Sequence, residues 1–125
     1  METDKYEKYE NAQFFHWDND FTKFLKLYIY LSDVNELSGP HVYITGSHKN
    51  KKLEHSLARL YSDKEIFDSY KKIKTFIGKE GSFFFTDSYG IHKGEPPKKN
   101  YRLMLNIHFG NNNIKYHKDD MIIKI

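Results

Sequence analysis

Two stretches of strict alternation constrain this chain more than anything else in it. Over residues 24–31, Leu25, Leu27, Ile29 and Leu31 fall on one side of an extended backbone, with Phe24, Lys26, Tyr28 and Tyr30 on the other. Over residues 101–109, Leu103, Leu105, Ile107 and Phe109 share one side and Arg102, Met104, Asn106 and His108 the opposite one. Successive side chains of a strand point to opposite faces, so a period of two predicts two strands, each with one strongly apolar face. Shorter strands are predicted within 12–18 and at 41–45, 82–86 and 91–94. They are separated by the turn residues Ser38-Gly39-Pro40, Gly46-Ser47, Gly78 with Gly81, and Gly94-Glu95-Pro96-Pro97. A turn at Asn111-Asn112-Asn113 and a last edge strand over Met121 to Ile125 complete the reading.

Helical spacing interrupts this pattern only between residues 52 and 73. Leu53, Leu57 and Leu60 suggest a short amphipathic helix. Ser62 and Glu65 form a capping box, in which each side chain takes up a free amide of the first turn, ahead of an apolar face of Ile66, Phe67, Tyr70 and Ile73. Many short strands with one or two inserted helices predict a mainly β sandwich or barrel. The length fits a single domain over residues 1–125.

Composition narrows the function classes. Hydrophobic residues at 38% allow a buried core, and ten Phe with ten Tyr can build much of it. Cysteine is absent, which excludes disulfides, thiolate zinc, iron–sulfur clusters and a cysteine nucleophile, and fits a cytoplasmic protein. The start, METDKYEKYE, lacks the basic-then-apolar pattern of a signal peptide, and no apolar run approaches the roughly 20 residues of a membrane helix. Neither a membrane nor a nucleic acid is expected as a partner. A net charge of +3 from 20 basic and 17 acidic residues is too balanced for the latter. The basic run His48-Lys49-Asn50-Lys51-Lys52 reads as a solvated loop or helix start.

His16-Trp17-Asp18 is the first candidate for chemistry. In extended backbone, residues i and i+2 project to one side, so an imidazole and a carboxylate converge. These are two members of a facial triad, in which two His and one carboxylate leave three positions open on iron(II). A surface His beside a surface Asp is the bland reading of that tripeptide. For the second imidazole, His48, His55 and His117 lie in polar stretches and read as solvated. His41 follows Pro40 and is open to either reading, while His108 reads as packed or hydrogen-bonded. His92 stands apart, in a short apolar segment between Gly90 and Gly94 that leaves room for a bulky bound group. Arg102 faces away from the apolar side of its strand. A guanidinium buried there needs an anion, and its planar fork suits a carboxylate such as the far end of a metal-chelating dicarboxylate. An internal salt bridge to Asp87 or Glu95 is the alternative.

Taken together, these residues resemble the phytanoyl-CoA dioxygenase family. The resemblance rests on Phe15-His16-Trp17-Asp18, on FLKLYIYLSDVNELSGPHVYITGSHK at 24–49 and on GSFFFTDSYGIHKGEPPKKNYRLML at 81–105, and covers about residues 12–110. It implies a double-stranded β-helix (jelly roll, cupin-like). It also implies a non-haem iron(II)- and 2-oxoglutarate-dependent dioxygenase that uses dioxygen to hydroxylate a C–H bond of a small molecule. By position, His16, Asp18 and His92 match the metal ligands and Arg102 the residue holding the far carboxylate of 2-oxoglutarate. Tyr28 matches a position lining the cosubstrate pocket, with Trp17 beside it. Halogenases of this kind replace the acidic ligand with a small residue, so Asp18 implies hydroxylation. The chain departs from the family in two ways. Gly94 stands where some members offer a hydroxyl to the cosubstrate. The usual N-terminal helical part is short here, so the Leu103–Phe109 face is expected to be exposed, or covered by a homodimer partner or a missing segment.

Two other readings compete. One is a catalytically inactive binding or interaction module on the same scaffold. The other is a cupin-like metal enzyme such as an isomerase, which is expected to use more histidines and has no need of Arg102.

Overall fold

The structure is a computed structural model that describes residues 11–18, 24–57 and 60–110. In chain order, a single 3-10 turn at Asn11–Gln13 leads into β1 (Phe15–His16), β2 (Phe24–Tyr30), β3 (His41–Ile44) and α1 (Leu53–Leu57). Then come β4 (Leu60–Tyr61), α2 (Asp63–Ser69), β5 (Ile73–Phe76), β6 (Phe83–Thr86), β7 (His92–Gly94) and β8 (Met104–Gly110). The predicted turn at 111–113 and edge strand at 121–125 lie outside the described residues.

The two alternating segments pair with each other. β2 lies between β6 and β8, antiparallel to both, with Tyr28 opposite Phe84 on one side and Asn106 on the other. The remaining strands form a five-stranded antiparallel sheet in the order β4-β1-β7-β3-β5. The fold is thus mostly β with antiparallel sheets, of the jelly-roll type.

Between the sheets the packing is aromatic. Phe84 of the smaller sheet stacks on Phe76 of the larger at 4.1 Å between centroids, and Tyr30 reaches across to donate its hydroxyl to the Phe76 carbonyl at 2.7 Å. The other face of the larger sheet carries the main apolar core, where Phe15, Trp17, Val42, Ile44, Tyr61, Ile66 and Ile91 bury one another. Ile66 comes from α2, whose capping box forms as the sequence predicts. The buried Lys93 of β7 fastens that helix, with Nζ 2.7 and 2.8 Å from the two Asp63 oxygens and 2.8 Å from Glu95 Oε1.

Three local expectations are corrected. The first helix ends at Leu57, and Leu60 belongs to β4, where it pairs with His16. Its buried residue is His55, expected to be solvated but held by Tyr70 Oη at 3.0 Å and packed edge-on to Tyr61. Ile73 does not continue the second helix. The backbone turns extended at Tyr70, and Ile73–Phe76 pairs with β3 as a strand. No helix among the described residues is long and apolar enough to cross a membrane.

The expected exposure of the apolar face of β8 is observed. Leu103, Leu105, Ile107 and Phe109 are all exposed, together with Leu25, Phe83 and Phe85 on the same side of the smaller sheet.

Candidate metal centre

The register of the larger sheet brings the two candidate imidazoles together. His16 is the direct partner of His92 across the antiparallel β1–β7 pair, so both side chains stand on the face turned toward the smaller sheet. Their ring centroids are 4.4 Å apart. Asp18, two residues after His16, projects to the same face, and its backbone amide bonds to the Ser88 carbonyl at 2.9 Å. His16 Nε2 lies 3.8 Å from Asp18 Oδ1, and His92 Nε2 lies 3.5 Å from Asp18 Oδ2. One donor atom from each of the three falls within 4.8 Å of the others, a grouping able to hold a metal ion.

The rings are also locked in the tautomer that a metal requires. Nδ1 of His16 is 2.8 Å from the Phe14 carbonyl, and Nδ1 of His92 is 2.8 Å from the Gly90 carbonyl. A carbonyl only accepts, so each Nδ1 carries a proton, and each Nε2 is the ring nitrogen turned toward Asp18. Burial lowers the pKa of His92 to about 4, with His16 adding to the effect, so the ring is neutral at ordinary pH. Burial works to raise the Asp18 carboxyl, but His92, Lys26 and His16 outweigh it, and the group stays below its ordinary value.

Lys26 was not foreseen at this site. It is buried on the inward face of β2, with Nζ 2.5 Å from Asp18 Oδ2. Its alternation with Tyr28 and Tyr30 was the available signal. An ammonium thus holds one oxygen of the carboxylate, while the other oxygen faces His16.

Arg102 and Tyr28 come to the same interior. Burial raises the Tyr28 hydroxyl above its ordinary pKa, the Asp18 charge adds to this, and Arg102 opposes it. Arg102 takes neither of the acids that could have held it. Glu95 pairs with Lys93, the Asp87 carboxylate accepts from the Tyr89 amide at 3.0 Å, and Arg102 Nη1 is buried with no hydrogen-bond partner among the described residues. Gly94 explains part of this arrangement. A Cβ there would stand 3.0 Å from Arg102 Nη2, so the missing side chain makes room for the guanidinium.

Trp17 is placed elsewhere, against the expectation that it lines the cosubstrate pocket. Lying between His16 and Asp18 in extended backbone, it must point to the opposite face. There it joins the main core and donates Nε1 to Tyr61 Oη at 2.9 Å. Lys51 folds back over the same region, with Nζ 3.4 Å from the Tyr89 ring centroid and 5.1 Å from that of Trp17, so the basic run is not wholly a solvated loop.

His41, left open by the sequence, is buried in the interior. Its ring lies 5.4 Å from that of His92 and 4.8 Å from that of Tyr28.

These donors fit the groups in question. Two imidazoles and a carboxylate form a set suited to iron(II), and an unpartnered buried guanidinium nitrogen suits a carboxylate. Comparison with known proteins gives one family match. The model of the family described as Phytanoyl-CoA dioxygenase (PhyH) matches residues 9–100. No curated protein matches the chain.

Proposed function

The chain belongs to the phytanoyl-CoA dioxygenase family, one of iron(II)- and 2-oxoglutarate-dependent oxygenases, and from that premise we propose that it hydroxylates a C–H bond of a small molecule. His16, Asp18 and His92 hold the iron in this reading. Arg102 grips the far carboxylate of 2-oxoglutarate, and Tyr28 lines the cosubstrate's side of the interior. Iron with its cosubstrate supplies the dioxygen-dependent oxidation, with succinate and carbon dioxide as co-products.

The chain's own residues orient and exclude. The Phe14 and Gly90 carbonyls hold both imidazoles by their Nδ1 protons. Lys26 holds Asp18 by one oxygen. The stack of Phe76, Phe84 and Tyr28 gives the interior apolar walls that limit water beside the polar groups. The observation that carries the reading is the convergence of three donor atoms, with the Nε2 of each imidazole turned toward Asp18.

The test is an anaerobic titration of the purified protein with iron(II) and 2-oxoglutarate, followed by the visible charge-transfer absorption of the chelated cosubstrate. The band is expected in the wild type and absent in His16→Ala. Admission of air with a substrate panel is then expected to release succinate. A folded wild-type protein that gives no band overturns the reading.

One observation favours a second reading, a binding module without turnover. The Lys26 ammonium already neutralises Asp18, so the site is internally balanced without a metal ion. A folded protein that gives no band in the titration would favour this alternative.

A further inference from the structure

His41 is a buried polar group to which the proposed chemistry assigns no role. It opens β3, and its direct partner across the antiparallel β3–β7 pair is Gly94. Side chains directly opposite in such a pair share a face, so the imidazole stands beside the space that a residue 94 side chain would fill. The Arg102 guanidinium occupies the edge of that space, with Nη2 3.0 Å and Nη1 3.8 Å from the Cβ that Gly94 lacks. His41 and Arg102 are therefore neighbours on the inner wall, one row along β7 from His92.

Both groups have an unanswered nitrogen. Among the described residues, His41 Nε2 and Arg102 Nη1 are buried without a hydrogen-bond partner. The His41 ring is only 3% exposed and is held by ring contacts to Tyr28, Phe84, Phe76 and His92. Such packing fixes the imidazole in place but gives Nε2 nothing to bond. Buried polar groups are ordinarily satisfied, so two orphans on one wall mark the seat of an absent polar group. One charged N–H donor and one neutral one match a carboxylate, which offers two oxygens and a single negative charge.

We propose that His41 Nε2–H and Arg102 Nη1–H together seat the distal carboxylate of the dicarboxylate cosubstrate, His41 supplying the neutral donor that Gly94 cannot. The inference rests on the oxygenase reading and assigns to it a residue outside the metal ligands. It makes the seat a two-donor site built from β3 and the segment just before β8, with the glycine between them kept small for the guanidinium.

The experiment compares the binding of 2-oxoglutarate and of pyruvate, which lacks the distal carboxylate, to protein loaded with manganese(II), by calorimetry in the absence of turnover. His41→Phe keeps the ring packing and removes the donor, and His41→Gln restores an N–H. Circular dichroism checks that each variant is folded. For His41→Phe, 2-oxoglutarate affinity is expected to fall on the order of ten- to hundredfold, the effect of a lost hydrogen bond to a charged group. Pyruvate and manganese(II) affinities are expected to hold, and His41→Gln to recover part of the loss. Unchanged 2-oxoglutarate affinity in His41→Phe, or an equal loss for pyruvate, overturns the assignment while leaving the oxygenase reading in place. Failure of the metal-loaded wild type to bind 2-oxoglutarate overturns both.

Discussion

On the outer side of the five-stranded sheet, Ile44 and Ile91 lie wholly buried beneath α2, and Phe15 beside them packs edge-on against Phe67 at 5.6 Å. On the outer side of the three-stranded sheet, Phe83 is 66% exposed, Leu103 55% and Phe85 52%. Both faces are rich in apolar residues, the larger sheet's face carrying Thr75 and Lys93 beside them. They differ in what the described residues lay over them. On the larger sheet the strands are separated by a helical insertion that returns to cover it. On the smaller sheet the inward face carries the polar residues, Lys26, Arg102 and His108 among them, and the apolar residues face solvent. Apolar surface stabilises a fold only when it leaves water, so the two faces make unequal contributions to stability. The inversion on the smaller sheet also brings Lys26 and Arg102 to the interior that holds His16, Asp18 and His92.

The widest gap between the faces should appear in core truncation. Ile44→Ala removes buried methyl groups from a packed environment and is expected to cost about 2–5 kcal/mol by urea unfolding. If it costs no more than truncation of an exposed apolar residue, the larger sheet does not hold the main core.

A comparable effect is expected at the inward face of the smaller sheet. Lys26→Met leaves the Asp18 carboxylate buried without its ammonium, and breaking a buried pair costs about 3 kcal/mol. A bound divalent ion then replaces the lost positive charge, so the rise in Tm on adding manganese(II) should be larger than in the wild type. An equal or smaller rise would mean that the ammonium and the metal do not share the carboxylate.

Acid should unfold the protein through the same wall. The folded pKa of His92 is about 4, against an ordinary value of 6.5, and burial also holds His41 well below that value. Between those pH values the unfolded chain takes up protons that the folded one refuses. Stability of the metal-free protein is therefore full above about pH 6.5 and is lost as the pH falls toward 4, at no more than about 1.4 kcal/mol per pH unit for each histidine. His92→Gln should flatten this slope, as read from chemical denaturation at a series of pH values.

Much of this was legible in the sequence, and the omissions have physical reasons. The alternation at 24–31 and 101–109 gave β2 and β8 because a period of two is a local signal. The capping box of Ser62 and Glu65 is equally local. β4 and β5 were missed because short pairings are decided by distant partners. Ile73 also follows Tyr70 at helical spacing, which hides the extended backbone between them. Trp17 was within reach, since the period that brings His16 and Asp18 together turns the residue between them away. His41 was not, because its burial depends on pairing with Gly94, far along the chain.

The smallest effect should come from the outer face of the smaller sheet, and it tests the comparison from its other end. Leu105 lies opposite Ile29 on β2 and is 44% exposed, and Phe83 at the far side of the sheet is more exposed still. Leu105→Lys lets the ammonium reach water while its methylene stem stays on the neighbouring strand. Stability in dilute solution is expected to shift by no more than about 0.5 kcal/mol, the usual range for a surface site. Fluorescence of an apolar dye bound to the protein should fall, because a charge interrupts a contiguous exposed patch. A destabilisation matching that of Ile44→Ala would mean that this face is covered in solution and that the two sheets do not differ as described.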